Sequence, residues 1–240
     1  VTAPLIVTID GPAGTGKSTV GRDLARRLGL EFLDTGAMYR AATAVVIDAG
    51  VDPRDERGVA DAVTRAGIRF DWAADPPTVL AGERPLTDRL RDPDVAALVS
   101  TLAAQAPLRE SMVAQQRAIG AQHPRLLTEG RDQGSVVFPD AAVKIYLFAS
   151  PRIRAERRVR QIEASGRRAD VDEIERDLIR RDERDANRAV GPLVRPAGSV
   201  DVDTSEMSFE KVLDTLVGII RERTPSAALR KVGTGGAGGG

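Results

Sequence analysis

Short β-branched apolar runs alternate along the chain with longer stripes of helical spacing. Leu5, Ile6, Val7, Thr8 and Ile9 form one such run, closed by glycine, which is the pattern of a strand buried on both faces. From Thr19 onward Val20, Leu24 and Leu28 recur at four-residue spacing and Gly29 follows, predicting a helix with a glycine stop. Leu30 to Leu33 reads as a second strand ending at Asp34, and Ala37 to Ala49 as a helix ended by Gly50. Ile68 to Leu86 differs: Ile68 to Trp72 alternates, two prolines follow, and Gly82-Glu83 suits a hairpin turn, so a small antiparallel insert is expected. Helical patterning resumes from Pro93 to Gln122, and Arg125 to Thr128 and Val143 to Leu147 supply two more core strands. Charged helices are expected from Pro151 to Arg188, a last strand at Val200 to Asp203, and an amphipathic helix from Phe209 to Arg223. This alternation predicts an α/β fold with a parallel sheet between two helical layers.

Composition narrows the chemistry. The chain has 240 residues, 42% of them hydrophobic, which suits one α/β domain with an insert. Its 35 basic and 35 acidic residues cancel, so any anion site must be local. Lysine occurs only at positions 17, 144, 211 and 231, which draws attention to Lys17. The absence of cysteine removes disulfides and thiolate catalysis. His123, the only histidine, precedes Pro124 in a polar connection and is given no role. Leu5 to Ile9 is too short for a signal peptide or a membrane span, and a cytoplasmic protein is expected.

Directly after the first predicted strand come Gly11, Pro12, Ala13, Gly14, Thr15, Gly16, Lys17, Ser18 and Thr19, a match to G-x-x-x-x-G-K-[ST] between a strand and a helix. Glycines let successive N–H groups turn onto phosphates, and the helix N-terminus adds its positive end. Lys17 is then expected to bridge the β- and γ-phosphates and Ser18 to ligate Mg²⁺, with Asp34 acting through a water. A phosphate-binding loop alone leaves motor, switch, ATPase and kinase open. Two further segments end strands: Asp34-Thr35-Gly36-Ala37-Met38-Tyr39-Arg40 and Glu129-Gly130-Arg131-Asp132. Each alone reads as a helix cap with a solvated arginine; together with the loop they favour one crevice at the strands' carboxyl ends. Between Pro151 and Arg195 stand thirteen arginines, with Arg154, Arg157 and Arg158 on one helical face and Arg181, Arg184 and Arg188 on another. Pairs such as Asp177 with Arg181 explain several as solvated surface, yet a face of three arginines favours a polyphosphate, as on a closing lid. An acceptor phosphate, already a dianion, needs no general base, and none is evident.

These segments, in order from about Leu5 to Arg223, resemble the bacterial cytidylate kinases. The resemblance rests on the phosphate loop, the Asp34 to Arg40 segment, Ser100 and Arg109, Gly130-Arg131-Asp132, Phe138-Pro139-Asp140-Ala141, and Arg181-Asp182 through Arg184-Asp185-Ala186-Asn187-Arg188. It implies a P-loop kinase with a five-stranded parallel sheet in one domain spanning 1–224. Within it lie a monophosphate-binding insert at about 63–108 and an arginine-rich lid at about 151–190, while the glycine-rich tail, 225–240, is expected to be disordered. It further implies ATP-dependent phosphorylation of CMP and dCMP. A monomer with no nucleic-acid or membrane partner is expected. Lys17, Arg131, Arg157 and Arg181 are the implied catalytic cations. Thr35, Arg40 and Arg131 would hold the acceptor phosphate; Ser100, Arg109, Asp132 and Arg188 would face cytosine; Arg181 and Asp185 would reach the sugar or phosphate. Asp132 has a second reading, in which it only orients Arg131. Gln133 stands where an apolar residue is expected. The alternatives are a kinase for UMP, dTMP, AMP or another metabolite, a GTP-hydrolysing switch, disfavoured because its Asn-Lys-x-Asp pattern is absent, and an RNA-binding module built on the arginine helices.

Overall fold

The computed structural model describes residues 3 to 164 and 166 to 225; the predicted tail therefore lies, but for its first residue, outside the described residues. Strand β1 (Leu5–Asp10) forms the centre of a five-stranded sheet of order β2-β6-β1-β7-β8, completed by β2 (Glu31–Asp34), β6 (Arg125–Gly130), β7 (Val143–Phe148) and β8 (Val200–Asp203). Every neighbouring pair is parallel. Successive side chains leave opposite faces, so Leu126 enters one core and Leu127 the other. One face is covered by α1 (Lys17–Leu28) and α8 (Phe209–Arg223), packed on Val7, Ile9, Ile145 and Leu147. The other is covered by α2 (Thr35–Asp48), α3 (Glu56–Ala66), α4 (Pro93–Leu102) and α5 (Ala106–Gln122).

The predicted insert is a three-stranded antiparallel sheet of β3 (Ile68–Asp71), β4 (Thr78–Ala81) and β5 (Arg84–Pro85), turned at Gly82-Glu83. Its apolar residues Ile68, Phe70, Val79 and Leu86 pack into the same cluster as α2 and α5. The helical patterning over 93–122 resolves into two helices, because the chain turns at Ala103 to Gln105 and Pro107 stands in the first turn of the second. Helix α3 was not expected, although Asp55 caps it, Val59 and Val63 are fully buried, and Gly67 ends it. Helices α6 (Pro151–Glu163) and α7 (Val171–Asn187) pack on each other at the carboxyl edge of the sheet.

Candidate active site

The phosphate loop leaves the carboxyl end of β1, between β6 and β7. Gly11 lies so close to β7 that a Cβ there would overlap the Leu147 carbonyl oxygen, which excludes any other residue. Helix α1 starts at Lys17 and its first turn holds no acidic residue, so its N-terminal N–H groups face the crevice uncompensated by a carboxylate of their own turn. Lys17 is buried and folds back on its own loop: Nζ donates to the carbonyls of Gly11 at 2.8 Å and Pro12 at 2.6 Å and to Thr15 Oγ1 at 3.3 Å. Burial, reinforced by the nearby Arg131 guanidinium, pushes its ammonium down to about 7.

Opposite the lysine stands a carboxylate to which the sequence analysis assigned no role. Ser18 Oγ donates to Glu129 Oε1 at 2.6 Å, and burial together with the neighbouring Asp34 pushes Glu129 up to about 7. Asp34 caps α2 by accepting from the Ala37 N–H at 2.7 Å and pairs with Arg40 at 3.1 Å. Among the described residues no three His, Cys, Asp or Glu side chains converge as a self-sufficient metal cage. One hydroxyl and two carboxylates at the loop instead suit Mg²⁺, a hard cation that keeps waters and takes further oxygens from phosphates. Glu129's signal was its place at a strand end facing the loop.

The acceptor side is built on the end of β6. Thr35 Oγ1 donates to the Glu129 carbonyl at 2.7 Å, which brings α2 against this strand end. Arg131 Nε donates to Asp185 at 2.8 Å, and Arg131, despite burial, keeps that carboxyl below its usual range. Arg181 is pushed down to about 10 by burial, then by Arg131, with Arg40 adding to the repulsion. Thus Lys17, Arg131, Arg181 and Arg40 form one mutually repelling cationic set. Such a set is stabilised by a polyanion.

Asp132 belongs to a separate buried group. Arg109, 1% exposed, donates to its Oδ2, Arg188 lies 3.9 Å from its Oδ1, and the Arg109 guanidinium sits 5.5 Å from the Tyr39 ring centroid. Because Arg131 is paired by Asp185, the reading in which Asp132 orients Arg131 is corrected: the partners of Asp132 are Arg109 and Arg188. Tyr39 is a further residue left without a role; its hydroxyl is buried with no partner among the described residues, and burial pushes it up to about 12. Arg188 also donates through Nε to the Gly191 carbonyl, and Gly191, at φ +58°, crosses so close that a Cβ would meet Arg109 and Asp132. Ser100 is half-buried on α4, which touches α7.

The predicted arginine faces divide. Arg157 donates to the hydroxyl of Thr204 at 3.1 Å and to its carbonyl, so in this structure it lies at the end of β8, apart from the Lys17–Arg131–Arg181 set. Arg154 is buried against main-chain carbonyls, whereas Arg158 donates to Gln161 at the surface, at 3.4 Å. On α7, Asp177 pairs with Arg180 rather than Arg181, and Arg184 stays exposed. Gln133 is not misplaced in an apolar site. Its amide accepts from Thr128 Oγ1 at 2.8 Å and donates to Gln116 at 3.0 Å, within a π-helical turn, Gln133–Val137. The carboxylate of Asp10 fastens that turn by accepting from the N–H groups of Gln133 at 2.8 Å and Gly134 at 2.7 Å.

Comparison with known proteins agrees with this geometry. A cytidylate kinase from Rhodococcus opacus (strain B4) is 47% identical over 230 residues, covering 93% of this chain and 97% of that one. One from Corynebacterium glutamicum is 47% identical over 219 residues, covering 90% and 94%. The solved structure of an uncharacterized protein from Eubacterium ventriosum ATCC 27560, only 10% identical, has a TM-score of 0.51 over 91% of this chain and 99% of that one, and so shares the fold alone. The family model described as cytidylate kinase matches residues 7–222, almost the whole of the two-core domain and both groups of site residues, and the chain therefore belongs to the cytidylate kinase family.

Proposed function

We propose that the protein transfers the γ-phosphoryl group of ATP to CMP or dCMP, yielding ADP and CDP or dCDP. The observation that carries this reading is the buried Asp132 carboxylate, held between Arg109 and Arg188 one residue beyond Arg131. A fixed carboxylate accepts from the exocyclic amine that cytosine has and uracil lacks, while the neighbouring guanidinium takes the phosphate. Kinases for other monophosphates or metabolites are not favoured, since neither the family nor this carboxylate points to them.

An acceptor phosphate oxygen attacks the γ-phosphorus in line; that O–P bond forms as the bond to the β,γ-bridging oxygen breaks, and ADP leaves. The acceptor is already largely a dianion at neutral pH, so no side chain removes a proton. Lys17 exchanges its loop carbonyls for the β- and γ-phosphates; Arg131 and Arg181 face the charge moving between donor and acceptor; Thr35 and Arg40 hold the acceptor phosphate, and Asp185 keeps Arg131 in place. Ser18, Asp34 and Glu129 would hold Mg²⁺, which when bound supplies Lewis-acid charge at the phosphates. Ser100 completes the base side from α4. Arg157 acts from the edge of the site, near Thr204.

The reading extends to a cytoplasmic monomer with one domain over 1–224, the insert at about 63–108 carrying the acceptor, and a lid at about 151–190 that closes on ATP. No helix among the described residues is long and apolar enough to cross a membrane. Coupled ADP release measured with CMP, dCMP, UMP, AMP and dTMP tests the assignment. CMP and dCMP should give the highest kcat/KM; preference for any other acceptor would overturn it.

A further inference from the structure

Arg154 and Asp182 take no part in the chemistry above, yet both are bound to the phosphate loop. Arg154, with its side chain 4% exposed, donates Nε to the Ala149 carbonyl at 3.0 Å, just past β7, and Nη1 to the Ala13 carbonyl at 2.8 Å. The same Nη1 meets Asp182 Oδ2 at 2.6 Å, and Asp182 Oδ1 accepts the Ala13 N–H at 3.1 Å. Both hydrogen-bonding groups of one loop residue are thereby held by a single ion pair that links α6 to α7. Packing reinforces the fixation, because a Cβ on Gly14 would lie 3.5 Å from Arg154 Cβ and 3.6 Å from Leu178 on α7. Asp182 follows Arg181 directly and precedes Asp185, the partner of Arg131, by one helical turn. A shift of α7 along the loop would therefore displace Arg181.

We infer that Arg154 and Asp182 are positioning residues that register α7 on Ala13, so that Arg181 faces the phosphoryl group being transferred. The inference rests on the functional reading above, in which Arg181 stabilises transfer. Its specific content is that Asp182 acts through Arg181, which requires their effects on turnover to overlap rather than add. The experiment is a double-mutant cycle with Asp182→Ala, Arg181→Ala and the pair, measuring kcat, KM for ATP and for CMP, and melting temperature on the full chain. Asp182→Ala should lower kcat by about 30-fold, a misplacement effect, while KM for CMP changes by less than about threefold. In the Arg181→Ala background the same substitution should cost less than about threefold. A near-normal kcat for Asp182→Ala, or losses that multiply in full, would overturn the inference. Should Asp182→Ala melt below the assay temperature, Asp182→Asn, which keeps the volume but not the charge, enters the same cycle with the same criteria. A near-normal kcat for Arg181→Ala would instead break the functional reading, and the inference with it.

Discussion

On the outer face of α6 and α7, Arg152 pairs with Asp172 and with Glu175 at 3.2 Å, and Arg180 pairs with Asp177, all of them in contact with solvent. On the inner face of the same two helices Arg154 and Arg181, and just past α7 Arg188, are withdrawn from water. Among the described residues, Arg181 Nε and Arg188 Nη2 are buried without a hydrogen-bond partner. Residue type and local spacing are the same on both faces; what differs is the low-dielectric crevice on one side. Exposed pairs trade water for a carboxylate at little net gain. Buried cations that repel one another raise the free energy of the empty site, and a polyphosphate relieves it. The contrast explains how a chain with balanced charge can build a cationic crevice suited to an anion.

The sharpest way to break this contrast is at Lys17. Replacement by Ala should reduce kcat by about a thousandfold or more while the folded protein melts no lower, because a desolvated ammonium is removed along with its phosphate contact. Coupled assays with circular-dichroism melts check both; near-normal turnover would return the inner face to the status of the outer one.

Asp132→Ala should come next. It leaves Arg109 buried and unpaired, a cost of roughly 3–5 kcal/mol in denaturant melts. It should also lower kcat/KM for CMP by about ten- to a hundredfold and for UMP by less. An unchanged CMP-to-UMP ratio would exclude base reading by this carboxylate.

Asp10 gives a pH-dependent counterpart. Burial pushes its carboxyl up to about 6 even though two N–H groups hold the ionised form. A carboxyl whose native pKa exceeds its unfolded value binds its proton more tightly when folded, so its stabilising effect is present at low pH and is lost as pH rises through about 6. Asp10→Asn should therefore flatten the pH dependence of stability between the ordinary value, 3.8, and about 6, by at most about 3 kcal/mol. Parallel curves for the two proteins would refute it. Arg180→Ala on the outer face should change neither melting temperature nor kcat measurably, in the same assays.

Much of this was legible in the sequence because it is local. Strands and helices with clear periodicity lie within a few residues of their expected bounds, and α8 begins and ends where the stripe predicted. The phosphate loop needs only nine consecutive residues and the strand before them. What escaped notice depends on distant partners. The division of the arginines is decided by contacts such as Ala13 to Asp182, 169 residues apart, which no spacing along α6 or α7 encodes. Gln133 looked out of place because its partners, Thr128 and Gln116, are joined to it only once β6 and α5 have packed. Glu129 and Tyr39 acquired their roles by burial, whereas α3 was missed despite a readable cap and stripe.

The position of β1 at the middle of the sheet has a consequence for synthesis. Leu5 pairs with Arg125 and Val7 with Val143, so β1 has neither neighbour until the stretch between it and β6, residues 11–124, has been translated. At a synthesis rate of about 5–20 residues per second, β1 and its glycine loop wait several seconds or more as an unpaired apolar segment outside the ribosome. The insert and its flanking helices, whose contacts are nearer in sequence, can form during that interval, which leaves the phosphate-binding centre among the last parts of the nascent chain to take shape.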